Sequence, residues 1–236
     1  YYRNNLGASF EFLETLRREK VSRLVFSSSC SIFGQKTHSP LVEDSPYDPL
    51  NPYAETKWFF EKALAWCDHA YGLRSVSLRY FNAAGADPDG EIGEDHEPET
   101  HLIPLALDAA SGVKPLTVFG TDYPTPDGTA IRDYIHVMDL ADAHVRALRQ
   151  LLAGSRSACV NLGTGHGYSV MEVIACVETI VGSKVQATFG PRREGDAPQL
   201  VANPRWAKEF LDWQPQHSTL ENIVGTAWAW RKRKRA

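Results

Sequence analysis

Tyr53 and Lys57 stand four residues apart in the stretch NPYAETK, directly after Pro52. On a helix, positions i and i+4 share a face, so the phenol and the ammonium project together. A free tyrosine titrates near ~10, too high for a base at neutral pH, and bringing it to neutrality takes about 4 kcal/mol of differential stabilisation. A neighbouring ammonium supplies part of that. The pattern alone is common on surface helices. Ser27, Ser28 and Ser29 close the preceding apolar run RLVFSSS. They would sit at the carboxyl edge of a strand, where open α/β sheets bind ligands, and a serine there serves either a turn or a site.

The elements that would position these residues alternate. Residues 5–20 place Leu6, Phe10 and Leu13 on one face and predict a helix. Residues 23–29 predict a buried strand. Residues 30–52 are rich in Pro, Ser, Gly and Asp and predict a long loop, which at that length is usually functional. A helix over 52–71 and a strand over 75–82 follow. Strand, helix and strand in succession predict a parallel sheet with crossover helices. Further helices are expected at 102–111, 139–152, 169–181 and 218–233. Further strands are expected at 116–119, 132–137, 158–162 and 185–189. Residues 83–130 are poor in regular pattern and read as a second region grafted onto the sheet. The fold class is therefore α/β, a Rossmann-like doubly wound parallel sheet with a smaller α+β domain. The sheet domain takes 1–82 and about 131–163, and the second domain about 83–130 and 164–236.

With 236 residues, 43% hydrophobic and 23% charged, the chain has the composition of an ordinary globular protein. A net charge of −4 argues against a nucleic-acid or anionic-membrane partner. No apolar run approaches the ~18 residues of a membrane span. Cys30, Cys67, Cys159 and Cys176 are scattered without metal-ligand spacing, so no metal is expected and a reducing cytoplasm suits them. The basic end RKRKR reads as a solvated helix terminus. NLGTGHG has the spacing GxGxG, with no acidic residue ending a second strand beyond it. It reads as a turn entering a helix at Ser169 and not as a dinucleotide fingerprint.

A strand-end serine followed by YxxxK on the next helix resembles the Ser/Tyr/Lys triad of the extended short-chain dehydrogenase/reductases. Within that superfamily the segments YYRNN, FSSSCSIFG, NPYAETK, LRYFNAAGADPDGEIGED, HLIP, VFGTDYPTPDGTAIRDYIHVMDLADAH, NLGTG and PRREGD look like successive signatures of the UDP-glucose 4-epimerase family. They come in order over nearly the whole chain.

The resemblance implies an NAD-dependent interconversion of UDP-glucose and UDP-galactose through a 4-keto sugar. Tyr53 would take the proton of the sugar 4-hydroxyl, Ser29 would bond the 4-oxygen, and Lys57 would bond the nicotinamide ribose and depress the Tyr53 pKa. Base, orientation and pKa tuning are three separate tasks for three residues. By the same resemblance Asn4, Tyr80 and Phe81 would touch the cofactor. Asn82 would bond the diphosphate region, and Arg132 and Arg193 the pyrophosphate, where guanidinium forks give charge and geometry together. Asp196 would accept from a ribose hydroxyl. Leu102, Thr117 and Phe119 would frame the uracil, with His101 contributing backbone in the same loop. Leu200 would line the sugar pocket, which leaves acceptance of N-acetylated sugars open.

Related dehydratases and decarboxylases place carboxyl groups just after the strand-end Ser or Thr. Cys30 and Ser31 stand there instead. A non-catalytic nucleotide-sugar-binding protein is the alternative of a different class, since fold does not fix function. The family also implies a homodimer through helices flanking the catalytic one. The chain opens on YYRNNLGASF, with no glycine-rich βα turn before Asn4. It is therefore expected to be an N-terminally incomplete form of such a fold that does not hold NAD unaided.

Overall fold

The computed structural model describes residues 1–35 and 39–235; positions 36–38 of the expected loop lie outside them. A π-helical turn (Tyr2–Gly7) leads into α1 (Ala8–Arg18), β1 (Arg23–Ser29) and a 3-10 turn (Cys30–Phe33). Then come α2 (Pro52–Tyr71), β2 (Arg74–Tyr80), β3 (Asn82–Ala84), α3 (Leu102–Ala110) and β4 (Leu116–Phe119). The chain continues through β5 (Ile131–Arg132), β6 (Tyr134–His136), α4 (Val137–Leu152), β7 (Ala158–Leu162) and β8 (Tyr168–Ser169). It ends with α5 (Val170–Val181), β9 (Ala187–Gly190), β10 (Gln199–Leu200), α6 (Arg205–Leu211) and α7 (Leu220–Arg235).

The sheet that carries the serines runs in the order β1-β2-β7, all parallel. Ser29 lies opposite Tyr80, so both strands end at one edge. α2 is the crossover between them. It starts where Asn51 Oδ1 accepts from the Ala54 N–H at 2.9 Å, with Pro52 in the first turn, and stops at Gly72, whose φ of 71° is left-handed. On one face of the sheet Phe60 and Leu64 of α2 pack with Leu13 and Leu73. On the other, α4 lays Leu140, Ala143, Ala147 and Leu151 against Val76, Leu78 and Val160. A second core gathers α3, α5 and α7 around Ile103, Leu107, Val173, Val177, Ile223 and Val224.

Several sequence expectations differ from this arrangement. The expected strand 132–137 breaks at Asp133 into β5 and β6, which pair in different small sheets. The loop 30–52 carries a 3-10 turn, and Leu41 bridges Ala202. Within residues 83–130, α3 and β4 fall where a helix and a strand are expected, and the short β3, which begins at Asn82, is added. The helix α6 was not expected, because seven residues give too little periodicity to read. Its Ala207 and Leu211 pack into the sheet core, although spacing put 164–236 with the second region. The basic end is pinned and not merely solvated: Arg231 pairs with Asp108, Lys234 with Asp95, and Arg233 donates to the Gly90 carbonyl at 2.9 Å.

Candidate active site

The first turns of α2 bring Tyr53 and Lys57 over the end of β1. Lys57 Nζ donates to the Ser27 carbonyl at 2.8 Å and lies 5.5 Å from the centroid of the Tyr53 ring. Tyr1 meets that ring edge-on, with centroids 5.7 Å apart. Ser29 Oγ accepts from the Ser31 N–H at 3.2 Å. Burial pushes the Tyr53 phenol above its ordinary pKa, and a hydrogen bond with Ser29 opposes it. Burial also pulls the Lys57 ammonium below its ordinary value. The expected depression of the phenol by Lys57 is therefore not what this structure shows. Lost hydration is the largest influence on the phenol, and the Lys57 ammonium is directed at the Ser27 carbonyl.

Behind the triad residues lies a buried ion pair that sequence reasoning missed. Arg79 of β2, 2% exposed, donates through Nη2 to Glu61 Oε2 at 2.6 Å and through Nε to Glu61 Oε1 at 2.9 Å. Its other donors reach the Glu43 carbonyl at 2.8 Å and Tyr47 Oη at 3.0 Å. Ser28 Oγ donates to the same Glu61 carboxylate at 2.5 Å. Burial works against the Arg79 charge, and the hydrogen bonds to Glu61 outweigh it, raising its pKa. Glu61 follows Lys57 by four residues on α2, a helical spacing that could have pointed to it. The network ties α2 to β1, β2 and the 43–47 loop.

A cleft of about 250 Å³ opens beside the sheet edge. Asn82, two residues beyond Tyr80, is part of its wall, as are His101, Leu102, Thr117, Phe119, Arg132, Arg193 and Asp196. The Arg193 guanidinium stacks over the Phe119 ring at 4.1 Å. Arg132 donates through Nη1 to the Ile131 and Ala197 carbonyls, both at 2.9 Å, and its Nη2 lies 3.5 Å from Asp196 Oδ1. Hydrogen bonding to Glu94 raises the pKa of His101.

Other predicted residues sit elsewhere. Asn4 is exposed on the π-helical turn, and it is Asn5 that donates to Thr56 Oγ1 of α2, at 3.0 Å. Tyr80 is half-buried with its ring 6.2 Å from that of His144. Phe81 and Leu200 belong to a core cluster with Ile32, Phe33 and Leu41.

Asp133 is a second buried carboxylate that sequence reasoning missed. It accepts from the Thr164 and Gly165 N–H groups at 2.9 and 3.1 Å and from Ala202 N–H at 3.2 Å. A Cβ on Gly163 would come within 2.5 Å of it, so Gly163 of NLGTG serves this close approach. Ser169 then caps α5 through a reciprocal pair with Glu172.

A family model described as the NAD dependent epimerase/dehydratase family matches residues 1–163. The chain belongs to that family. It is 45% identical to the UDP-glucose 4-epimerase of Lacticaseibacillus casei over 233 residues, 98% of this chain and 70% of that protein. The crystal structure of the Brucella ovis UDP-glucose 4-epimerase with NAD shares 48% identity at a TM-score of 0.94, covering 97% of this chain and 70% of that one. The Bifidobacterium longum enzyme in complex with NAD+ and UDP shares 36% at 0.92, covering 100% and 71%. Within the epimerase/dehydratase family, the chain thus stands among the UDP-glucose 4-epimerases, isomerases with NAD as cofactor. None of its helices is long and apolar enough to cross a membrane, among the described residues.

Proposed function

We propose that Ser29, Tyr53 and Lys57 carry out the NAD-dependent 4-epimerisation of UDP-glucose and UDP-galactose on this chain. The observation that carries the reading is their convergence at the end of β1, with the Lys57 ammonium on the Ser27 carbonyl at 2.8 Å and 5.5 Å from the centroid of the Tyr53 ring. The chain passes from Tyr80, opposite Ser29, to Asn82 in the cleft wall within two residues. The donor set fits the nicotinamide end of NAD. Among the described residues Lys57 donates once, to Ser27, and an ammonium carries three donors, so two remain for ribose hydroxyls. When bound, NAD supplies the acceptor and donor of hydride at sugar carbon 4.

Tyr53 accepts the proton of the 4-hydroxyl and returns it to the 4-oxygen after the keto sugar has turned over. Ser29 holds that oxygen within reach of the phenol. Arg132 and Arg193 bind the diphosphate, Asp196 a ribose hydroxyl, and Leu102, Thr117 and Phe119 the uracil. Cys30 stands where a dehydratase would need an acid. It is buried, and burial pushes its thiol up to about 12, which favours epimerisation over elimination.

The sheet core and the α3/α5/α7 core correspond in this reading to the NAD-binding and nucleotide-sugar-binding domains. A homodimer forms through α1 and α2, whose outer faces expose Phe10, Phe12, Phe59, Trp66 and Tyr71. Four free cysteines suit the reducing cytoplasm.

The test is to incubate the intact protein with UDP-galactose and NAD and follow the sugar protons by NMR. Conversion to UDP-glucose is expected. Tyr53→Phe should lower turnover roughly 10²–10⁴-fold, as for a lost general base, while UDP still binds. A stable 4-keto-6-deoxy product, or near-normal turnover in the mutant, would sink the assignment.

A further inference from the structure

Glu94, His96, Glu99 and His101 meet at one point in the stretch GEDHEPETH. One ligating atom from each lies within 4.8 Å of all the others. Glu94 Oε1 is 3.4 Å from His96 Nδ1 and in direct contact with His101 Nδ1. Glu99 Oε1 is 3.6 Å from His96 Nε2 and 3.9 Å from His101 Nδ1. Bonds of ~2.0–2.1 Å in a tetrahedral zinc site put neighbouring ligand atoms roughly 3.4 Å apart. The 3.4, 3.6 and 3.9 Å separations are close to that; one His96 ring nitrogen would bind, and the ion would replace the direct Glu94–His101 hydrogen bond.

The surroundings favour a cation. Glu94, Asp95, Glu97 and Glu99 crowd four carboxylates into this short stretch, and Lys234 pairs with Asp95. Two carboxylates brought together repel unless positive charge lies between them. The ligands are also oriented from outside. The Thr100 and His101 N–H groups donate to Glu99 Oε1 at 2.7 and 2.9 Å, which orients the carboxylate and leaves Oε2 as the oxygen to bind the ion, and the Glu99 side chain is only 7% exposed. Trp230 Nε1 donates to the Glu94 carbonyl at 3.0 Å and fixes the loop on α7. Such outer contacts are what a metal site needs to hold its donors.

We propose that Glu94, His96, Glu99 and His101 bind one Zn²⁺ tetrahedrally. Two imidazoles with two carboxylates suit zinc better than Mg²⁺ or Ca²⁺, which prefer all-oxygen shells. His101 directly precedes α3 and shares the cleft wall with Leu102, so the ion sets the position of that wall. The proposal stands apart from the epimerase reading, because binding is measured without turnover.

The test uses the full chain, stripped with a chelator and titrated with ZnCl₂ by calorimetry and with Co²⁺ by visible absorption. One Zn²⁺ per chain is expected, with Co²⁺ giving the intense bands of tetrahedral coordination. His96→Ala and Glu94→Gln should each weaken Zn²⁺ binding at least ~10-fold, since even outer-shell changes cost ~10–100-fold. Circular dichroism checks that both variants fold. Absence of saturable binding would overturn the proposal. So would equal affinity in wild type and both variants, or a Co²⁺ spectrum of octahedral type only.

Discussion

Replacing Arg79 with Met should destabilise the protein by about 3–5 kcal/mol at neutral pH, the cost of breaking a buried ion pair from one side. The magnitude follows from what Arg79 leaves behind. Its side chain is 2% exposed and that of Glu61 6%, so water cannot replace the lost guanidinium. Among the described residues Glu61 would keep Ser28 Oγ and the weak donor Cys159 Sγ, at 3.7 Å, and Tyr47 Oη and the Glu43 carbonyl would each lose a donor. For a chain of this length the loss corresponds to a fall in melting temperature of roughly 6–20 °C. It carries a pH signature. An orphaned buried carboxyl has a folded-state pKa above its unfolded value of ~4.3, so the variant holds more protons when folded. Its stability deficit should therefore be smallest in mild acid and grow as pH rises through the new pKa. Because Glu61 lies on the helix that carries Tyr53 and Lys57, turnover should fall with stability on warming. Urea melts of wild type, Arg79→Met and Arg79→Met/Glu61→Gln across pH decide the matter. The double variant should recover part of the loss and lose the pH dependence. A single-mutant deficit below about 1 kcal/mol, or one independent of pH, would refute the reasoning.

Other consequences are open to direct measurement. Arg193→Ala should weaken UDP binding roughly 10- to 150-fold, from the ~1.5–3 kcal/mol of a charge-assisted bond, with less effect on turnover at saturation; an unchanged dissociation constant would place Arg193 outside the site. A base must be ionised to take a proton, and burial raises the Tyr53 pKa, so kcat/KM should climb with pH above neutrality; a profile flat through the alkaline range would contradict this. Ser169→Ala removes the cap of α5, whose Oγ accepts from the Glu172 N–H at 3.1 Å. It should cost ~0.5–2 kcal/mol in a urea melt, and no measurable change would mean the cap is idle.

The local elements were legible because their signals are local. Asn51 and Pro52 open α2 and Gly72 closes it, and a cap or a left-handed glycine acts within a few residues. The strands at 23–29, 116–119 and 158–162 were readable as apolar runs between turn residues. Helical spacing put Tyr53 and Lys57 on one face before any tertiary contact was known. What tertiary structure alone decided is where charge and water go. No local pattern tells that Arg79 meets Glu61, since a strand residue and a helix residue 18 positions apart are joined only by the crossover. Asp133 reads as part of a strand in sequence, but the backbone N–H groups of Thr164, Gly165 and Ala202 converge on it from distant segments and split that strand in two. The direction of the Tyr53 shift belongs to the same class. Sequence puts an ammonium beside the phenol and predicts a lowered pKa, whereas folding removes the water from both groups. Desolvation depends on every neighbour at once, so it exists only in the packed chain.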